Sequence, residues 1–193
     1  MGLFGTILTG VWLTIQFIFS SIVYWLSLLF VIPFKNPEIL WILIPIWINL
    51  IFTDFFQEKH ATSMGNAITN GAVAVWVSID WTRYLIRTAK GFSWIGLFDY
   101  FICALMLTFG IFIIIKGIKG KKYVHVIARI REIGYLQLMF SLLIYKVVDL
   151  SLKFMLIVLI FAPAFYYIFE LIDKYTPDLV EDKNNSNNND NLG

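Results

Sequence analysis

The strongest constraint on the fold is a segment without a single charged side chain, which covers residues 3–32. About 20 apolar residues in a helix are enough to cross the roughly 30 Å hydrocarbon core of a bilayer. Further apolar runs cover residues 38–53, 95–115 and 152–172. Because lipid offers no hydrogen bonds to the backbone, such runs must satisfy their peptide groups internally, as helices. The sequence therefore predicts an all-α, polytopic integral membrane helix bundle.

Composition supports a membrane protein and argues against several classes of function. Of the 193 residues, 59% are hydrophobic and only 15% are charged, whereas a soluble domain has about 25% charged residues. The net charge of +2 and the lack of an aromatic and basic RNA-binding pattern argue against a nucleic-acid partner. Cys103 is the single cysteine, and His60 and His125 are far apart, so no metal or other cofactor is predicted. No GxSxG or HExxH motif is present, which favours a protein without enzymatic activity.

We predict about six transmembrane helices in a domain that covers residues 1–175, followed by a disordered polar tail at 176–193. Both termini are then cytoplasmic, because nine of the 15 Lys and Arg residues lie on the cytoplasmic side in this arrangement. Four or five spans are the alternative if residues 61–82 or 133–148 do not cross. The expected location is the cell membrane.

The third predicted helix, at about residues 61–83, is unusually polar for a membrane segment. At about 100° per residue its polar side chains share roughly one third of the circumference. Such a stripe should turn away from lipid. One hypothesis makes it the wall of a site or pathway, and the other makes it interhelical packing with small neighbours. The stripe consists of Thr62, Ser63, Asn66, Asn70 and Asp80, and the small residues are Gly65, Ala67, Gly71, Ala72 and Ala74.

Charged residues flank this stripe on both sides. Asp80 is spaced to pair with Arg83 or Tyr84 on the same helix. Asp54 and Glu58 are four residues apart, so on a continued helix they share one face. Paired carboxylates can bind a cation or pass protons, and they are equally typical of a helix end that emerges into water. Both interpretations stay open.

Asp99 is the one charged residue within the predicted span 95–115. A lone intramembrane carboxylate is a hypothesis for a functional site, and it requires a partner. The partner expected from the predicted topology is Arg83 or Arg87. Alternatively, Asp99 is simply a carboxylate near a helix N-terminus, which the helix dipole favours.

A basic segment at about residues 119–132 predicts an amphipathic helix on the membrane surface. Its apolar face would contain Tyr123, Val126, Ile127, Ile130 and Ile133. The expected partners of its basic side chains are the bilayer and its anionic lipid headgroups, with a protein contact as the alternative. The basic side chains assigned to headgroup contact are Lys119, Lys121, Lys122, Arg129 and Arg131.

The following segment, 133–148, is barely long enough to span a membrane and is either a short span or re-entrant. If it continued as a helix, Lys146, Asp149 and Lys153 would form a small ion-pair network.

Three functions fit these features. The favoured hypothesis is a small transport or permeation protein, because polar side chains lie at membrane depth. The second is a scaffold or assembly protein that has a membrane-protein partner or forms a homo-oligomer. The third is a lipid-headgroup enzyme in which Asp54, Glu58 and His60 supply acid–base groups.

Overall fold

The computed structural model describes residues 3–55, 64–88 and 94–175, and every regular element within these ranges is helical. The all-α prediction is confirmed for this part of the chain. Pro37 begins the second helix, where its fixed φ and missing N–H are tolerated. The elements are α1 (Leu3–Phe30), a 3-10 turn (Ile32–Lys35), α2 (Pro37–Phe55), α3 (Met64–Thr88), α4 (Trp94–Ile118), α5 (Val124–Ile127), α6 (Ile130–Ile144) and α7 (Leu152–Tyr175). The predicted tail, 176–193, lies outside the described residues.

Three of the described helices are long and apolar enough to span a membrane: Thr9–Phe30, Gly96–Ile118 and Leu152–Ile172. The α2 helix is also apolar over Pro37–Thr53, but this stretch is shorter. The α6 helix has 15 residues, which corresponds to about 22 Å at 1.5 Å per residue. These helices support a membrane location and a helical bundle, whereas the total of six spans stays a prediction.

The short α6 helix lies at the centre of the bundle, where it contacts α1, α2, α3 and α7. Eleven of its fifteen residues are buried, so neighbouring helices rather than lipid surround it. On the α2 side, a Cβ added to Gly134 would lie 2.8 Å from Leu50 Cδ1, so α2 packs closely there. On the α1 and α7 side, Trp25 donates a hydrogen bond to the Tyr135 hydroxyl, which donates to the carbonyl oxygen of Val158.

The α3 and α4 helices form the most extensive helix pair of the bundle. A Cβ added to Gly71 would lie 3.0 Å from the carbonyl oxygen of Gly110, and one added to Gly110 would lie 2.7 Å from the carbonyl oxygen of Gly71. The two backbones can approach this closely only because both residues lack a side chain. Ala67 and Ala74 are fully buried, as predicted for packing residues, whereas Gly65 and Ala72 are exposed.

Side-chain contacts define the two ends of the bundle. The Glu38 end contains the start of α2, the end of α3 and the start of α4. The Glu38–Arg87 ion pair joins α2 to α3 there. The Lys121 end contains α5 and the start of α6, where Arg131 pairs with Glu170 near the end of α7. Sequence neighbours among α2, α3 and α4 therefore run antiparallel.

The basic segment differs from the predicted single helix over 119–132. Only Val124–Ile127 is helical before α6 begins, because Arg129 has an extended backbone with ψ of 132° and ends the short helix. The predicted apolar face is divided accordingly. Ile130 and Ile133 are buried within α6, whereas Tyr123 and Val126 are exposed.

The predicted ion-pair network of Lys146, Asp149 and Lys153 is wrong. These residues do not share a helix, because α6 ends at Ile144 and α7 begins at Leu152. Lys146 has a φ of 53°, a left-handed conformation that is uncommon for a residue with a side chain. This turn directs Lys146 towards α4, and Lys153 instead lies over the Tyr24 ring at 4.8 Å.

The first half of α1 differs from the rest of the bundle, because residues 9–20 are all exposed. Within residues 9–30 of α1, the first two buried side chains are Ser21 and Trp25. This part of α1 therefore presents its whole circumference to its surroundings, including the carboxamide side chain of Gln16.

Candidate functional site

Buried polar side chains lie along the contact between α3 and α6. The helices run parallel, since Asn70 contacts the carbonyl of Ala128, Trp81 contacts Ser141, and Tyr84 contacts the carbonyl of Tyr145. We call this set of residues the α3–α6 polar line. It consists of Asn70, Asp80, Trp81, Gln137, Ser141 and Tyr145, together with the half-buried Asn49 of α2, which bonds to Asn70.

Asp80 is the charged residue of the polar line and is 4% exposed. Its Oδ1 accepts hydrogen bonds from Arg83 Nε at 3.0 Å and Nη2 at 2.6 Å. Its Oδ2 accepts a hydrogen bond from the Tyr145 hydroxyl. The predicted pairing of Asp80 with Arg83 is confirmed, and Tyr145 is a partner that the sequence did not indicate. Charge-assisted bonds of this kind are stronger than neutral ones and hold a buried carboxylate in place.

Tyr145 joins three elements at the Glu38 end. It follows the last residue of α6, where helix carbonyl groups lack intrahelical partners. Its carbonyl oxygen accepts hydrogen bonds from the Tyr84 hydroxyl at 3.2 Å and from Asn36 Nδ2 at 3.4 Å. Its ring stacks on that of Tyr84 with a centroid distance of 4.2 Å. These contacts fix the hydroxyl that faces Asp80.

Asn70 occupies the other end of the polar line and is fully buried. Its Nδ2 donates to the carbonyl oxygen of Ala128 at 2.8 Å, and its Oδ1 accepts a hydrogen bond from Asn49 Nδ2 at 3.3 Å. Thr53 in turn donates to Asn49 at 3.3 Å. Asn66, one turn before Asn70, is half-buried. The predicted stripe thus turns inwards at Asn70 and Asp80, and its role as a site stays a prediction.

Gln137 lies between these two groups on α6. The register of the α3–α6 contacts places it opposite the stretch of α3 between Asn70 and Trp81. It is 0% exposed, and within the described part of the chain neither Nε2 nor Oε1 has a hydrogen-bond partner. Burial of an amide without a hydrogen bond costs about 2–7 kcal/mol, depending on the reference state. Among the buried side chains that the structure describes, the Gln137 carboxamide therefore carries a desolvation cost that no hydrogen bond offsets.

Two further polar residues follow Gln137 at intervals of four: Ser141 within α6 and Tyr145 directly after its last residue. Ser141 donates to the carbonyl oxygen of Gln137 at 2.7 Å and accepts a hydrogen bond from Trp81 Nε1 at 3.0 Å. Residues 137, 141 and 145 share one face of a helix because of this spacing. The same spacing could have revealed the site from sequence, but single Gln, Ser and Tyr residues in an apolar run carry little signal.

Asp99 does not join the polar line. It is 4% exposed and pairs with Lys146, so the predicted partners Arg83 and Arg87 are wrong. The left-handed turn after α6 brings Lys146 to α4, and this could not be inferred from helix periodicity. Asp99 is the sixth residue of α4 and lies just beyond the first turn, so the alternative of a carboxylate near the helix N-terminus stays open.

The predicted headgroup-contact residues divide into two groups. Lys119, Lys121, Lys122 and Arg129 are exposed at the Lys121 end, where charged side chains can reach water or headgroups. Arg131 instead contacts α7, since it pairs with Glu170 and lies 5.4 Å from the centre of the Tyr166 ring.

The predicted acid–base residues near the end of α2 lie largely outside the described residues. Asp54 belongs to the last turn of α2, but its side chain is not described, and Glu58 and His60 fall in the gap before α3. Among the described residues no cluster of three His, Cys, Asp or Glu side chains could hold a metal ion.

Comparison with known proteins does not assign the chain to a family. No family model matches the sequence, and no curated protein and no solved structure matches it either.

Proposed function

We propose that the protein is a multi-pass membrane protein that conducts protons along the α3–α6 polar line. The observation that carries this proposal is the carboxamide of Gln137, which is fully buried and has no partner among the described residues. Such a group is costly in a packed bundle unless a small polar species bonds to it. The hydrogen-bonded groups around Asn70 and Asp80 lie to either side of it.

The chemistry of the polar line supports a proton rather than a larger solute. The Asp80 carboxyl group and the hydroxyls of Ser141 and Tyr145 can exchange protons with water, whereas the amides and the indole can only orient that water through hydrogen bonds. Asp80 is the acid–base group, and the Tyr145 hydroxyl donates to it. In this proposal, Asp80 accepts a proton at the Glu38 end and Gln137 orients the water that carries it further.

Proton flux into liposomes tests the proposal, with the purified protein and a pH-sensitive dye trapped inside. Because a relay without its acid–base group loses orders of magnitude in rate, Asp80→Asn should lower the flux at least about tenfold. Asn can still accept a hydrogen bond from Arg83 or Tyr145, so the fold should survive. The matched control is Asp99→Asn, which changes an equally buried carboxylate outside the polar line and should leave the flux near that of the wild type.

The proposal would be contradicted if the Asp80→Asn variant had the same proton flux as the wild type. A wild-type protein that conducts no protons would leave the second candidate, a scaffold or assembly protein. The exposed first half of α1 favours that candidate, because residues 9–20 offer a complete helix surface with a carboxamide at Gln16. Amide side chains in lipid bond to partner helices.

The proposed topology has six spans, formed by α1, α2, α3, α4, α6 and α7, with the Lys121 end in the cytoplasm. The exposed lysines Lys119, Lys121 and Lys122 support this orientation through the positive-inside rule. Three spans, α2 to α4, separate Lys35 from Lys121 in this topology, so the two residues lie on opposite sides of the membrane.

Cysteine labelling in intact cells tests this topology after Cys103, which is buried, is replaced by alanine. A membrane-impermeant maleimide should label Lys35→Cys from outside. It should label Lys121→Cys only after the cells are lysed. Labelling of both positions from the same side would show that one of α2, α3 and α4 does not cross.

A further inference from the structure

A groove of about 590 Å³ opens on the outer face of the α3–α4 pair. Its lining contains three aliphatic side chains, Ile79 and Ile86 from α3 and Leu107 from α4, and also Ser78 and Thr82 from α3. Ile79 and Ile86 are 52% and 66% exposed, so the bundle does not cover this surface, which faces lipid in the proposed six-span topology. Two arginines, Arg83 and Arg87, also line the groove. The groove therefore combines an apolar body with cationic groups.

The two arginines lie one turn apart near the end of α3, with side chains that are 55% and 52% exposed. Arg83 bonds to Asp80 through Nε and Nη2, which fixes the orientation of its guanidinium group. A guanidinium group has five N–H donors, so both arginines retain donors for a further ligand. Arg and phosphate form charge-assisted, often bidentate hydrogen bonds.

We propose that this groove binds one anionic phospholipid. The phosphate bonds to Arg83 and Arg87 at the Glu38 end, and one acyl chain lies along Ile86, Ile79 and Leu107. The argument is charge and shape complementarity, because cationic groups stand at the end of an apolar groove that opens to the bilayer. A zwitterionic lipid has the same tail, but its additional positive charge makes it a poorer match for two arginines.

Glu38 allows the direction of a change in lipid affinity to be tested, because its carboxylate already pairs with Arg87. Both side chains of this pair are about half exposed, and exposed ion pairs are weak. A lipid phosphate can therefore replace Glu38 as the partner of Arg87. Removal of the carboxylate should strengthen lipid binding, whereas removal of the guanidinium should weaken it.

Native mass spectrometry of the delipidated full chain in detergent measures this binding. Dioleoylphosphatidylglycerol and dioleoylphosphatidylcholine are the two probes. The wild type should bind one phosphatidylglycerol in preference to phosphatidylcholine. Arg87→Gln should weaken phosphatidylglycerol binding about fivefold, in line with one basic residue at an anionic surface. Glu38→Gln should strengthen it, and Ile86→Trp should weaken binding by filling the groove while leaving every charge in place.

The control is Lys35→Gln, which removes an exposed positive charge at the same end but outside the groove. It should bind phosphatidylglycerol like the wild type. Equal binding of the two lipids by the wild type would overturn the proposal, as would equal effects of Arg87→Gln and Lys35→Gln. Arg87, Glu38 and Ile86 are all exposed, so these variants are expected to fold. If Arg87→Gln nevertheless fails to fold, unchanged binding by both Ile86→Trp and Glu38→Gln also overturns the proposal.

Discussion

Replacement of Gly110 by valine is expected to separate α4 from α3 and to lower the thermal stability of the detergent-solubilised protein. A Cβ at this position would lie 2.7 Å from the carbonyl oxygen of Gly71 and 2.9 Å from the backbone nitrogen of Val75. Because both are backbone atoms, the clash can be relieved only when the helices move apart. Overpacking costs about 1–3 kcal/mol, and valine should reach the upper part of that range because it adds two further carbons.

The consequences of this change extend beyond one contact, because α4 packs chiefly against α3. Helix association in a membrane depends on van der Waals contact, which falls off steeply when the backbones separate. The Ser78 hydroxyl also donates to the carbonyl oxygen of Cys103 at 2.7 Å across the same pair. A shift of α4 would therefore weaken hydrogen bonding as well as packing.

The measurement is the temperature at which half of the protein leaves the monodisperse peak in size-exclusion chromatography. Gly10→Val is the matched control, because a Cβ at Gly10 has nothing within 4 Å. The control should retain the wild-type midpoint, while Gly110→Val should fall well below it. Similar midpoints for the two variants would mean that α3 and α4 do not approach each other at Gly71 and Gly110.

The helices themselves could be predicted from the sequence because their cause is local. An uncharged run such as residues 3–32 must form a helix in lipid, and the structure has a helix at Leu3–Phe30. Pro33 and Pro37 similarly mark a break that depends only on the neighbouring backbone. The Asp80–Arg83 pair was predictable for the same reason, since the two residues are three apart on one helix.

Partners that belong to different helices could not be predicted in this way. The choice of Lys146 for Asp99 depends on where α6 ends and on the left-handed turn at Lys146. The Tyr145–Asp80 contact depends on the relative height of two helices whose sequences are far apart. Periodicity determines which face of a helix is polar, but not which residue of another helix lies opposite.

The central position of α6 could not be predicted from the sequence either. Its length suggested a marginal span, and its apolar residues resemble those of a lipid-facing helix. Only the packed bundle shows that Gln137 and Ser141 are fully buried. A polar side chain in an apolar run therefore gains significance from the helices that surround it. The candidate site rests on that tertiary arrangement more than on the stripe of α3.

The second large loss of stability is expected from substitution of Trp81, which packs α3 against α6. Its side chain is fully buried, and its Nε1 donates to Ser141 Oγ at 3.0 Å. Trp81→Ala removes the ring and leaves a cavity. We expect a loss of about 3 kcal/mol in the free energy of unfolding. This value is at the low end of the range for a buried tryptophan in a soluble protein, because lipid also solvates apolar surface.

Trp81→Phe separates packing from hydrogen bonding at this position. Phenylalanine retains much of the ring volume but cannot donate to Ser141, so the expected loss is about 1 kcal/mol, typical of a hydrogen bond between membrane helices. Both variants can be unfolded reversibly in mixed micelles of sodium dodecyl sulfate and a mild detergent, with circular dichroism as the readout.

Trp76→Ala is the matched control, since this tryptophan lies on the same helix and is 54% exposed. Its removal should change the free energy of unfolding little, because detergent already surrounds most of the ring. The ratio of the two alanine effects thus reports which face of α3 meets the bundle. A larger loss for Trp76→Ala than for Trp81→Ala would place the opposite face of α3 against α6. The polar line would then face lipid, and the case for proton conduction along it would fail.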